Sequence, residues 1–210
     1  ARLPFVLLNG ASGIAVGENI GCAVITDGTV RCWGFNGTGN LGCVPYVANS
    51  NVPLPVSGVT TAIAVSAGSQ SSCAVLQGGT MTCWGNGPQG MLGDGTGTSH
   101  NAGPLVSGIS TATKVATNAY TTYAVLADQT VKAFGFNNHG QLGDGTCGVS
   151  LVPQVVSGVT GVTSVSTNGV SSCALGSQGV WCWGRGTLGD GETNLRLTPH
   201  QHPTLSSVAS

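Results

Sequence analysis

The feature that most restricts the fold of this chain is an internal repeat of about 50 residues. The aromatic-glycine pairs Trp33-Gly34, Trp84-Gly85, Phe134-Gly135 and Trp183-Gly184 recur at spacings of 51, 50 and 49 residues. Val-Ser-Gly returns at 56–58, 106–108 and 156–158, and Leu-Gly-Asp-Gly at 92–95, 142–145 and 188–191. One unit is reused four times, so the fold is decided by what one copy forms and by how copies stack.

Within a copy, the short apolar runs Ala62–Val65, Cys73–Leu76 and Met81–Trp84 have strand length and strand periodicity, and Gly-rich turns separate them. We label them strands A, B and C. The turn from B to C carries Asp27-Gly28 in the first copy and Gly78-Gly79 in the second, pairs that tolerate the positive φ of a tight hairpin. A longer loop leads to strand D, at Val52–Val56 and Val152–Val156. Its prolines cannot donate to a ladder, so it belongs at a sheet edge. Four antiparallel strands with a Pro-bearing outer edge describe a propeller blade, and the 210 residues are expected to form a single all-β repeat domain.

The ends fall out of phase with the blades. Residues 1–17 read as a detached strand D (Leu3–Leu8) followed by strand A (Ile14–Val16). Leu197–Leu205 occupies the D position of the fourth copy, its two prolines weakening its strand character. Two D-like segments thus compete for one edge.

Composition narrows the function classes. Charged residues are only 6% of the chain, against about 25% in ordinary soluble proteins. Gly, Ser, Thr and Asn supply the polarity instead, which favours turns and strands over helices. The net charge is −1 and the six cations are scattered, so neither nucleic acid nor anionic lipid is an expected partner. No apolar run approaches the roughly 18 residues that would cross a bilayer as a helix, so membrane insertion is not expected. Leu3–Leu8 resembles the core of a secretion signal, but the repeat register explains it better.

Three cysteine pairs, Cys22 with Cys32, Cys73 with Cys83 and Cys173 with Cys182, each link strand B to strand C. Opposed residues at non-hydrogen-bonded sites lie about 4.5 Å apart at Cα, which suits a disulfide. In the third copy Tyr123 and Ala133 hold these positions, so both cysteines are missing together, as a bonded pair predicts. Disulfides imply an oxidising compartment, hence an extracellular or cell-surface location. Zinc is disfavoured, since no pair has CxxC spacing and each would give two ligands. Cys43 and Cys147 are left over, in the C-to-D loops of the first and third copies. They are candidates for an intermolecular disulfide, with two unpaired thiols as the alternative.

The segments Cys73–Leu76, Gly79–Gly85, Gly90–Thr96 and Val106–Gly108 together resemble the regulator-of-chromosome-condensation repeat family, and the likeness recurs along essentially the whole chain. It implies a β-propeller, commonly of seven blades, in a family that includes nucleotide-exchange factors, chromatin binders, enzyme inhibitors and secreted bacterial proteins. Seven blades would need about 350 residues at this period. The four copies here therefore imply a smaller closed ring, part of a longer chain, or an assembly completed by neighbours. The paired cysteines and scarce charge resemble the secreted branch.

Candidate sites each have an architectural reading. Gly37–Gly42 matches GxGxxG, but a dinucleotide site needs that turn between a strand and a helix, and here it lies between strands. Asp94, Asp144 and Asp190 sit one per blade in Gly-Asp-Gly turns, where Asp bonds the local backbone; calcium binding is the alternative. His200 and His202 lack a third ligand nearby. No GxSxG elbow occurs, and neither a catalytic site nor a cofactor is expected. Trp33, Trp84, Phe134 and Trp183 recur by blade and are expected to pack between blades. Asn36-Gly-Thr38 is the sole glycosylation sequon.

The expectation is a non-catalytic extracellular structural or adhesive propeller that binds proteins, including copies of itself head to tail through donation of Leu3–Leu8 to a neighbour's blade. The alternatives are a monomeric recognition module, an enzyme inhibitor or carbohydrate binder, and a propeller domain of a larger protein.

Overall fold

The computed structural model describes residues 8–205, and among them every regular element is a β-strand. Blade 1 comprises β1 (Ala11–Val16), β2 (Ile20–Ile25), β3 (Val30–Phe35) and β4 (Asn49–Pro55). Blade 2 comprises β5 (Ala62–Ala67), β6 (Ser71–Leu76) and β7 (Met81–Gly85). Blade 3 comprises β8 (Ala112–Thr117), β9 (Thr121–Leu126), β10 (Val131–Gly135) and β11 (Ser150–Val155). Blade 4 comprises β12 (Ser164–Thr167), β13 (Ser171–Gly176), β14 (Gly179–Gly184) and β15 (Arg196–Gln201). Consecutive strands pair antiparallel throughout, and the Pro-bearing β4, β11 and β15 lie at edges.

Blade 2 departs from the four-strand expectation. Its outer segment forms no regular strand and pairs with β7 through the isolated bridges Thr82↔Leu105 and Gly85↔His100. The reason is local. Pro104 has no N–H to give a ladder, and the Thr82 hydroxyl lies 2.9 Å from the Gly103 carbonyl and 3.0 Å from that of Pro104. In blade 4, β15 holds the outer edge through Trp181↔Gln201 and Cys182↔His200. The N-terminal segment expected as a detached strand D lies, apart from Leu8, outside the described residues.

The B-to-C hairpins turn as their residues require. Gly28 and Gly79 have φ of +82° and +86°. In blade 3 the same role falls to Gln129 at φ +64°, a region where an L side chain is strained.

The core lies between sheets rather than within one. Val24, Val30 and Leu41 of blade 1 cluster with Ala67 and Trp84 of blade 2, and equivalent clusters join blade 2 to blade 3 and blade 3 to blade 4. A sheet covered on both faces buries successive residues without alternation. Accordingly, β6 and β9 are buried almost throughout. In blade 4, β13 instead alternates between buried and half-buried positions.

Candidate protein-binding faces

Each interface between blades is built around one aromatic ring. Trp84, Phe134 and Trp183 are fully buried, and each lies against the loop following strand C of the preceding blade. At the glycine of the Leu-Gly motif a side chain would have no room. A Cβ on Gly42 would fall 2.8 Å from Trp84 Nε1, one on Gly93 2.7 Å from the Phe134 ring, and one on Gly143 2.8 Å from Trp183 Nε1. The carbonyl two residues before that glycine accepts the hydrogen bonds of the interface. Trp84 Nε1 donates to Asn40 O at 2.9 Å, and Trp183 Nε1 to Gln141 O at 2.7 Å. Phe134 has no N–H, and the Thr122 hydroxyl takes the corresponding Met91 carbonyl at 3.3 Å.

Blade 1 presents this same kind of face, and among the described residues nothing packs on it. Val65, Val115 and Val165 pack onto the clusters of the blades before them, yet their counterpart Ile14 is 72% exposed and nearby Val16 is 75% exposed. Trp33 is half-buried, and its ring lies over Gly21, where a Cβ would sit 2.5 Å from Trp33 Cε2. Trp84, Phe134 and Trp183 thus pack between blades, whereas Trp33 packs on its own sheet.

The opposite end, on blade 4, is half covered. Leu175 and Val180 are half-buried, whereas their counterparts Val24, Val75, Val30 and Met81 are shielded by a following blade. The loop before Leu188 is three residues shorter than in the other copies. Gly189, at φ +83°, still occupies the position of Gly42, Gly93 and Gly143, and the ring above it belongs to His202 of the same chain: a Cβ at Gly189 would lie 2.7 Å from His202 Nε2.

Cys22–Cys32, Cys73–Cys83 and Cys173–Cys182 are disulfide-bonded, with Cα atoms 4.1 Å apart in each pair. Their registers place each pair directly opposed across strands B and C. In blade 3, Tyr123 fills this space opposite Ala133. Its ring meets Trp183 edge-on at 6.0 Å, and its hydroxyl bonds the Gln141 carbonyl and, at 2.6 Å, Ser172 Oγ. Burial pushes the phenol far above its ordinary pKa and keeps it neutral. Cys43 is buried against the Asn36 amide, while Cys147 is exposed, and neither is bonded.

The other candidates occupy architectural positions. Gly37–Gly42 lies in the β3–β4 loop. Asn36 of the sequon is fully buried, its Oδ1 accepting from the Leu41 amide at 2.8 Å and its Nδ2 donating to Val47 O at 2.5 Å. It is closed to a glycosylating enzyme in the folded chain. Asp94, Asp144 and Asp190 accept the amides of Thr96, Thr146 and Glu192 at 3.0, 2.9 and 3.1 Å. Burial works to raise the Asp94 carboxyl, but the Thr96 amide and hydroxyl and nearby His100 outweigh it and leave the group below its usual range. His200 sits on β15 opposite Cys182.

Four antiparallel blades stacked through rings define a β-propeller repeat protein. The family model of the regulator of chromosome condensation (RCC1) repeat matches residues 27–75 and 130–179, and a second model of that repeat matches 62–90. The chain belongs to the RCC1-type repeat family. Among solved structures it resembles human WBSCR16, at 23% identity and TM-score 0.79, over 90% of this chain and 51% of that one. It also resembles yeast RCC1 (Prp20) bound to Kap60, at 17% identity and TM-score 0.75, over 91% and 49%. Prp20p of Saccharomyces cerevisiae, in a structure concerned with its binding to Gsp1p and histones, matches at 16% identity and TM-score 0.76, over 91% and 50%. The chain spans about half the length of these structures, and the likeness is one of fold. No curated protein matches it in sequence.

Proposed function

We propose that this chain is a non-catalytic extracellular structural or adhesive propeller that works by protein contact and assembles head to tail with copies of itself. The observation that carries this reading is the bare face of blade 1, where Ile14 and Val16 are 72% and 75% exposed at positions whose counterparts face another blade. Exposed apolar faces of this kind mark association surfaces. The three disulfides support an oxidising compartment. The yeast structures describe binding to proteins, which supports a protein partner here. Since β15 already holds the edge of blade 4, the reading rests on blade faces rather than on donation of Leu3–Leu8. Cys147, exposed on the β10–β11 loop, is the thiol available to lock copies covalently; Cys43 reaches a partner only if its loop opens.

A second reading, a monomeric recognition module, is favoured by His202, which covers one end of the arc from within the chain. Light scattering with non-reducing electrophoresis separates the two. Concentration-dependent oligomers support assembly. A monodisperse 20.8 kDa species at every concentration overturns it in favour of the monomeric module.

A further inference from the structure

The chain contains the same interface three times, and its two ends carry the two unused halves of a fourth. One half is the face of blade 1, with Ile14, Val16 and Trp33. The other is the face of blade 4, where Leu175, Val180 and the Leu188-Gly189 corner stand where blades 1 to 3 seat the next ring. We propose that blade 1 of one copy docks on blade 4 of a second copy, and that Trp33 takes the place above Gly189 held by the His202 ring in the single chain. This rests on the self-association reading above and assigns its contact.

The contact continues an interface already present three times within the chain. Gly189 retains the left-handed φ of Gly42, Gly93 and Gly143, and no side chain at 189 blocks an incoming ring. His202 is a smaller substitute for the indole. It follows β15 on the segment His202–Leu205, which is tied to blade 4 through His202 N to Val180 O at 2.8 Å and Val180 N to Leu205 O at 3.0 Å. The ring can therefore swing away while the backbone bonds stay. A larger apolar ring gains more from the same site, so the exchange favours the dimeric contact. The two faces are unlike, which makes the contact heterologous: it propagates unless the rotation closes it.

The test uses the full chain in sedimentation velocity, with circular dichroism to confirm folding. Ile14→Asp disables only the blade 1 face, and Leu175→Asp, with Val180→Lys as a second variant, disables only the blade 4 face. The expected result is that each variant alone is monomeric, whereas an equimolar mixture of opposite variants gives a dimer and nothing larger. His202→Ala lowers the concentration at which the otherwise native chain assembles. Loss of assembly from Ile14→Asp but not from the blade 4 variants overturns the proposal, because like faces would then be meeting. Assembly indifferent to both faces overturns the contact but leaves self-association standing; a native chain that never assembles removes both. His202→Ala without effect, or with weaker assembly, overturns the ring exchange.

Discussion

Trp84 and Trp33 occupy equivalent positions in neighbouring blades and have opposite surroundings. Trp84 is sealed between two sheets, with its indole N–H on the Asn40 carbonyl and its ring against Gly42. Trp33 lies half-buried on Gly21, and among the described residues no blade packs on its face. The position preceding the strand B cysteine is Ser72 in blade 2 but Gly21 in blade 1, and Ser72 Oγ donates to the same Asn40 carbonyl at 3.1 Å. One motif therefore does two jobs, closing a core inside the arc and presenting an apolar ring at its end. The repeat sets where the ring goes, and the neighbouring blade decides what the ring is worth.

The largest predicted effect tests that contrast directly. Trp84→Ala empties a sealed site and should cost about 3–5 kcal/mol in urea denaturation, whereas Trp33→Ala should cost no more than about 2 kcal/mol in dilute, monomeric protein. Equal costs would mean that the blade 1 face is covered in solution. Next in size is Tyr123→Phe, which keeps the ring beside Trp183 but removes the bond to Gln141 O within blade 3 and the bond to Ser172 Oγ of blade 4. Only the Ser172 bond crosses between blades, Gln141 being part of blade 3 itself, so the change should cost about 1–2 kcal/mol and leave the fold intact. No effect would show that the ring alone replaces the missing disulfide.

The smallest effect concerns turns that should not feel which blade they are in. Asp27 in blade 1 and Asp128 in blade 3 have carboxyls lowered by the hydroxyl of Thr29 or Thr130 and then by the same residue's amide. The ionised form is the one the fold prefers, so its contribution is present above about pH 4 and is lost as pH falls through the lowered folded value. Asp27→Asn and Asp128→Asn should each flatten the acid limb of the stability curve slightly and equally. A larger effect in one blade would mean that the hairpin turns sense their neighbours.

Much of this was legible in the residues. Alternating runs, Gly-bearing hairpins and opposed cysteines gave the blades, because strand pairing and turn geometry are local. The prolines gave the edges, although Gly103-Pro104 reduced the outer segment of blade 2 to bridges, with the Thr82 hydroxyl taking up the carbonyls there. What escaped was everything that depends on stacking. Tyr123 looks like a simple loss of cysteine until Gln141 and Ser172, from its own blade and the next, close around it. The sequon at Asn36 looks accessible until the β3–β4 loop folds over it. The Leu-Gly motif reads as a turn, and only the ring of the following blade shows why no other residue fits there. His202, out of register with every aromatic of the repeat, gave no signal that it would stand in for one.

The interlock of Gly42 with Trp84, Gly93 with Phe134 and Gly143 with Trp183 ties together positions most of a repeat apart. A methyl group added at any of these glycines meets the ring of the next copy and, at Gly42 and Gly143, also Val56 or Val156 of its own blade, so the corner is fixed from both sides of the seam. Copying or removing a whole repeat keeps ring and corner together, whereas a single change at one of these corners meets a positive φ, the next ring and, at Gly42 and Gly143, a valine of its own blade. Blade number is thus easy to alter, and blade junctions are hard to alter.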